Sequence, residues 1–278
     1  MCSLVRGSAH ILAQSRLLAA EEKRCGRPLE QPSGWMIARE MREYHLADLV
    51  VVLSSFAAKT FLDEGFPQDK LRILPLGTDV RRFRPDVKAV RERCRRMLSG
   101  ECLRVLTVGS FTYQKGMYDL ARIAHQLDGP FRFKFVGDCP QETRRLRAEC
   151  RDIIQFVPRQ PQSLLPRQYA EGDLFLFTTI QDGYAAVLAQ AYAASLPILT
   201  TPNCAGPDLV QEAETGWVLP VRSPEAFIER LRWCDTHRAQ LATIVWNAYQ
   251  KFRPRDWGEV ASDLQRIFRQ AIQRRRAR

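Results

Sequence analysis

Two loops in this 278-residue chain carry residue types suited to holding an anion. In the first, the apolar run Leu103-Arg104-Val105-Leu106-Thr107-Val108 gives way to Gly109-Ser110 and then to Phe111-Thr112-Tyr113-Gln114-Lys115-Gly116. Glycine lets backbone approach a phosphate closely, and a lysine just ahead of a helix adds a compact positive charge. Alone, this spacing also fits a surface lysine after a tight turn. The second loop follows Leu174-Phe175-Leu176-Phe177-Thr178-Thr179 and reads Asp182-Gly183-Tyr184-Ala185-Ala186. An alanine-rich helix, Val187-Leu188-Ala189-Gln190-Ala191, is expected directly after it. The peptide N–H groups of Gly183 to Ala186 would open that helix and face an anion with the positive end of its dipole. Asp182 fits two roles, a helix N-cap or a ligand-facing acid. Gln190 comes about two turns later, near the same face.

Both loops need strands to carry them. Short apolar runs alternate with longer amphipathic ones, the pattern of a parallel sheet with helices on both faces. The expected strands are 49–53, 71–74, 103–108, 131–136, 153–157, 174–177 and 198–199, with helices over 118–127, 142–150 and 187–194. Strict alternation in Phe131-Arg132-Phe133-Lys134-Phe135 predicts an edge or half-exposed strand. Between Pro85 and Glu101 the chain turns charged and arginine-rich, with no apolar strand. The expected organisation is therefore an incomplete first domain with its linker over 1–95, a complete doubly wound domain over 96–255, and an end segment over 256–278. Residues 1–85 offer two convincing strands, too few for an independent domain of ~100–150 residues. The end segment is an amphipathic helix capped by Asp256, with Trp257, Val260, Leu264, Ile267, Phe268 and Ala271 at helical spacing, and a basic tail.

The bulk chemistry narrows the function classes. Hydrophobic residues make up 45% and charged residues 26%, an ordinary globular balance. The net charge of +11 comes almost wholly from arginine, since only seven lysines are present. These arginines gather at 81–96, 144–147 and 274–276 without a basic helix interleaved with aromatics, so nucleic acid is not an expected partner. Solvated helix faces are the plainer reading of this charge, and a weak hold on an anionic membrane surface is the other. The eight cysteines are scattered without a Cys-x-x-Cys pair, which fits a reducing cytosol better than zinc or a disulfide framework. Neither a signal-peptide core nor an apolar run of ~18 residues is present.

In order and spacing, these segments resemble the donor domain of the glycosyl transferases group 1 family, the retaining family 4 enzymes. The matching pieces are Ala47-Asp48 with Ser54-Ser55-Phe56, then Leu71-Arg72-Ile73-Leu74-Pro75-Leu76-Gly77-Thr78-Asp79 with Phe83-Arg84-Pro85. Gly109 with Lys115-Gly116, Val136-Gly137-Asp138, Leu196 to Thr200 and Glu214 to Pro220 follow. The resemblance implies an α/β GT-B fold, with one complete Rossmann-like donor domain and a partial N-terminal one. It implies transfer of a sugar from a UDP-, GDP- or ADP-sugar, with retention, to a glycan or lipid-linked acceptor.

The family's Glu-x7-Glu motif falls on Asp182 and Gln190, which the resemblance assigns to the donor sugar and the ribose. Its diphosphate arginine falls on Ser110, which leaves Lys115 and the backbone at Gly183, Tyr184 and Ala185 to balance the diphosphate. Gly109 and Gly137 mark the two glycine loops. His10 stands where the family's active-site histidine is expected; a plain helix-start histidine is the other reading. Arg72 and Arg6 are the cations that could replace the arginine. No Asp-x-Asp motif is present, so charge neutralisation by protein groups, with no cofactor or metal, is expected. The family's front-end glycine-rich loop has no counterpart here. A partner subunit over the incomplete first domain, and a cytoplasmic location, free or peripheral at the inner membrane face, complete the expectations.

Overall fold

The computed structural model describes every residue except 1, 78, 128, 254, 277 and 278. Its strands are β1 (Ser3–Arg6), β2 (Leu49–Val52), β3 (Leu71–Ile73), β4 (Leu103–Ser110), β5 (Phe131–Asp138), β6 (Ile154–Val157), β7 (Leu174–Phe177), β8 (Ile198–Thr200) and β9 (Gly216–Val218). The helices are α1 (Ile11–Cys25), α2 (Gly34–Leu46), α3 (Ser55–Asp63), α4 (Val87–Leu98), α5 (Met117–Gln126) and α6 (Arg144–Glu149). They continue with α7 (Leu165–Glu171), α8 (Ala186–Ala193), α9 (Gly206–Leu209), α10 (Pro224–Thr236), α11 (Arg238–Lys251) and α12 (Trp257–Arg276).

Two parallel sheets result, a small one ordered β1-β2-β3 and a large one ordered β6-β5-β4-β7-β8-β9. Strands buried on both faces lack polar alternation, and Leu49-Val50-Val51-Val52 and Leu174-Phe175-Leu176-Phe177 are buried throughout. In the large sheet, Leu103, Val105, Phe133 and Leu176 pack under α4, α5, α10 and α11. Leu106, Val108, Phe175 and Phe177 face the opposite way, with α8. Because β4 pairs with both β5 and β7, the connections reverse direction there. In open α/β sheets ligands collect in the crevice outside the strand ends at such a reversal.

Several elements depart from the sequence expectation. β1 and β9 were not anticipated. Ser3-Leu4-Val5-Arg6 has only two apolar residues, and its pairing to β2, Val5 opposite Val51, makes it a strand. Three-residue β9 likewise depends on pairing, Trp217 opposite Leu199. β5 is the half-exposed strand of the two readings rather than an edge: it lies between β4 and β6 with Arg132 exposed. Its alternation has another origin, an open groove of about 320 Å³ on one face, where Arg132 and Lys134 meet α7. Lys134 Nζ reaches Glu171 Oε2 at 2.5 Å there.

The charged stretch after Pro85 forms α4, whose Asp86 cap accepts from Ala89 N at 2.7 Å. Asp256 and Glu259 exchange side-chain bonds with each other's backbone N–H, 2.9 Å each, and start α12 as a capping box. α12 returns to the small sheet, where Val260 and Ile267 cover Leu49, Val51 and Leu74. Trp257 stays mostly exposed despite its helical spacing. No described helix is long and apolar enough to cross a membrane.

Candidate functional site

The β4–α5 loop is fastened onto the end of β7. Thr178 Oγ1 donates to Gly116 O at 2.8 Å, and Ile180 N donates to Gln114 O at 3.0 Å. Gly116 caps α5 at φ 74°, and a Cβ there would stand 1.9 Å from Thr178 O. Only glycine permits that approach. The result carries Lys115 across the switch point, where its Nζ lies 2.5 Å from Asp182 Oδ2. The other Asp182 oxygen accepts from Tyr184 N at 3.1 Å and Ala185 N at 2.9 Å. Ala185 holds a left-handed φ of 62° ahead of α8, a conformation that a β-carbon disfavours. Strain of this kind gathers at ligand sites.

Lys115, Asp182, Tyr184 and Ala185 line a cavity of about 220 Å³ together with Gly109, Phe177 and Val187. Gly7, Leu53 and Leu76 of the small-sheet side close it. A second cavity, about 710 Å³, shares Val108, Gly109 and Val187 with the first and is lined further by Gly137, Asp138, Arg159 and Gln190. Gln190 Oε1 accepts from Tyr169 Oη at 2.9 Å. Complete burial pushes the Tyr169 phenol far up, so it is held as a donor. With its oxygen engaged, Gln190 has N–H groups left to offer the cavity.

The small sheet meets this site through backbone. Ser54 Oγ donates to Gly183 O at 2.6 Å, and Tyr184 Oη donates to Leu76 O at 3.0 Å. Ser55 N donates to Asp208 Oδ2 at 2.9 Å. A Cβ on Gly183 would stand 2.1 Å from Gly7 O, so that position admits only glycine in this arrangement.

The sequence-selected residues thus separate. Gly109, Lys115, Asp182, Tyr184 and Ala185 come together at the smaller cavity, while Gly137 and Gln190 line the larger. Gly183 forms the seam with Gly7. Ser110 turns aside, its Oγ donating to Asp138 Oδ2 at 2.8 Å, and so ties β4 to β5.

His10 is not brought to the cavity, a correction to its expected role. It is 2% exposed, packed between Tyr44 and Phe61 with ring centroids 4.8 and 4.9 Å away. Its Nδ1 accepts from Leu12 N at 3.3 Å and caps α1. Burial, then the charges of Arg16 and Arg6, push its pKa down to about 4. The plain helix-start reading is the one the geometry matches. Neither proposed replacement cation reaches the site: Arg6 pairs with Glu40 at 2.7 Å, and Arg72 donates to Leu71 O at 2.6 Å. Arg159 is the arginine at the larger cavity, and no local motif marked it. Ser54 was visible only as a fold marker after β2.

Residues 102–235 match the family model described as glycosyl transferases group 1. That match takes in just under half of the chain and falls on the large-sheet part. WcaL of Escherichia coli (strain K12), named for a glycosyltransferase role in colanic acid biosynthesis, is 25% identical to this chain over 224 residues. That alignment covers 75% of this chain and 53% of WcaL, so the chain spans about half the length of such relatives. Sucrose-phosphate synthase of Thermosynechococcus elongatus superposes with a TM-score of 0.78 at 21% identity, covering 97% of this chain and 67% of that one. HepE of Anabaena, solved with UDP and glucose, gives 0.69 at 15% identity, covering 84% of this chain and 66% of its own. Both establish the GT-B fold of this chain.

Proposed function

We propose that this chain binds a nucleoside diphosphate sugar across its two joined cavities and transfers the sugar, with retention at the anomeric carbon. The observation that carries this reading is the convergence of Lys115 and the α8 start on one cavity at the β4/β7 reversal. The smaller cavity takes the diphosphate and sugar, with Lys115 and the Tyr184 and Ala185 N–H groups as the positive lining. Negative charge grows on the departing phosphate as the glycosidic bond breaks, and preorganised donors of this kind meet it. The larger cavity takes the nucleoside, with Gln190 donating to ribose oxygens and Arg159 at its wall. Lys115 and backbone amides neutralise the diphosphate in this proposal, so chelating divalent ions should leave donor binding unchanged. The acceptor is a glycan or lipid-linked saccharide of polysaccharide or envelope synthesis, reached in the cytoplasm or at the inner membrane face. WcaL supports that class through its name.

Thermal unfolding with UDP, GDP, ADP, their sugar conjugates and the matching nucleosides tests the reading. A ligand at ~100 times its Kd stabilises by about 2.7 kcal/mol, several degrees for a chain of this size. A shift with one diphosphate and none with its nucleoside supports the proposal; no shift with any of them on folded protein defeats it. The burial of His10 favours a second reading, a binding protein that has lost transfer. Donor binding without sugar release or transfer to any acceptor would select it.

A further inference from the structure

The hydrogen-bonding pattern at Asp182 has a consequence beyond sugar recognition. The cradle assigned above to the diphosphate is already filled by an anion belonging to the protein. One carboxylate oxygen of Asp182 takes the Tyr184 and Ala185 N–H groups at 3.1 and 2.9 Å, and the other takes Lys115 Nζ at 2.5 Å. These three are among the donors that the smaller cavity, lined also by Ala186 and Val187 at the α8 start, offers a phosphate oxygen. Each of the two amides has one N–H to give, and a diphosphate drawn to the same Lys115 ammonium as the carboxylate is repelled by it at this separation.

We infer that Asp182 is an internal stand-in for the donor's phosphate, displaced when the nucleoside diphosphate binds. Displacement transfers Lys115 and the two amides to the diphosphate and frees the carboxylate. The freed group then lies beside the phosphate site with unused acceptor capacity, as hydroxyls of the attached sugar require. The same residue thereby opposes binding of the bare diphosphate and favours the sugar-bearing one, a preference for substrate over product. The neighbouring backbone supports such an exchange. Ala185 is held at a left-handed φ of 62°, and Asp182 N is separately fixed to Asn203 O at 2.8 Å, so the carboxylate can leave while the main chain stays. This inference rests on the donor-binding reading above.

Isothermal titration of the full chain with UDP, GDP and ADP and their glucose or mannose conjugates tests it, comparing wild type with Asp182→Asn and Asp182→Ala. Asparagine keeps the oxygen that caps Tyr184 and Ala185 and removes the charge that holds Lys115, so folding is preserved. The expected result is that Asp182→Asn binds the preferred nucleoside diphosphate at least fivefold more tightly than wild type. The tightening from diphosphate to diphosphate sugar should shrink in the same variant. Asp182→Ala, which also releases the two amides, should bind the diphosphate at least as tightly as Asp182→Asn. Equal or weaker diphosphate binding by folded Asp182→Asn, with wild type still binding, overturns the stand-in role and leaves the donor-site reading intact. Absence of binding by wild type and both variants at millimolar nucleotide overturns both.

Discussion

Two ionic clusters lie where the small-sheet side meets the large sheet, made from similar residue types and set in different surroundings. In one, Arg24 reaches Glu21 at 2.6 Å and Asp119 at 2.7 Å, while Arg222 reaches Glu21 at 2.8 Å and Leu17 O at 2.7 Å. Glu21 is fully buried and Asp119 is 2% exposed. Burial pushes both carboxyls up; hydrogen bonds from Arg24 and Arg222 outweigh it at Glu21, whose pKa ends low, and the bond from Arg24 alone does not at Asp119, whose pKa ends high. Leu18 and Leu29 of the same region enter the main core of the large sheet. The other cluster is a single pair, Lys115 and Asp182, each about one-fifth exposed at an open cavity. A buried network completed within the protein holds elements together, whereas a partly exposed pair at a cavity can exchange partners with a ligand.

The sharpest way to break this contrast is Glu21→Ala. It leaves two guanidinium groups facing each other without their shared carboxylate, and stability should fall by about 3–5 kcal/mol in urea unfolding. Nucleoside diphosphate affinity of the folded fraction should stay within about twofold; a large affinity loss would join the two clusters into one functional unit.

His10 gives the next effect, because it is another buried polar group with a holding role. Its pKa is about 4 when folded and 6.5 ordinarily, so between those values the unfolded chain binds more protons. Stability is therefore whole above the ordinary value and is lost as pH falls from about 6.5 toward about 4, by up to about 3 kcal/mol. His10→Asn, which keeps a capping oxygen, should flatten that part of the pH–stability curve. An unchanged slope would remove His10 as its source.

Lys115→Met moves to the cavity. Nucleoside diphosphate binding should weaken about 10- to 50-fold, or roughly 1.4–2.3 kcal/mol, with the nucleoside unaffected. Stability should change by less than about 1 kcal/mol, since the pair is partly solvated. Equal losses for diphosphate and nucleoside would take Lys115 off the phosphate. The smallest effect belongs to Ala185→Gly. Relief of the left-handed conformation, about 1–2 kcal/mol, is offset by about 0.5–1 kcal/mol of glycine entropy. A net gain near 0.5 kcal/mol is expected from calorimetry, and a loss would mean that the Ala185 methyl packs more tightly than its strain costs.

How much of this was legible in the chain depended on how local each signal is. The strands of the large sheet from β4 to β8 stood out because residues 103–108, 131–136 and 174–177 have both faces or alternate faces to bury. β1 and β9 did not, since each exists through its neighbour's hydrogen bonds. The two anion loops were legible because glycine, lysine and a helix start are local statements about backbone and charge. His10 was misplaced because a position along the chain carries no direction for a side chain.

Local patterning carried the alternating α/β plan, the resemblance to the glycosyl transferases group 1 family and the residues at the ends of β4 and β7. Backbone propensity and apolar patterning act over a few residues and need no partner to be read. Only the tertiary structure decided that Asp182 faces Lys115 rather than solvent, that His10 is sealed among Tyr44 and Phe61, and that α12 covers the small sheet. Those outcomes depend on contacts between segments tens to hundreds of residues apart, where packing and desolvation choose among side-chain directions that the local sequence leaves equal.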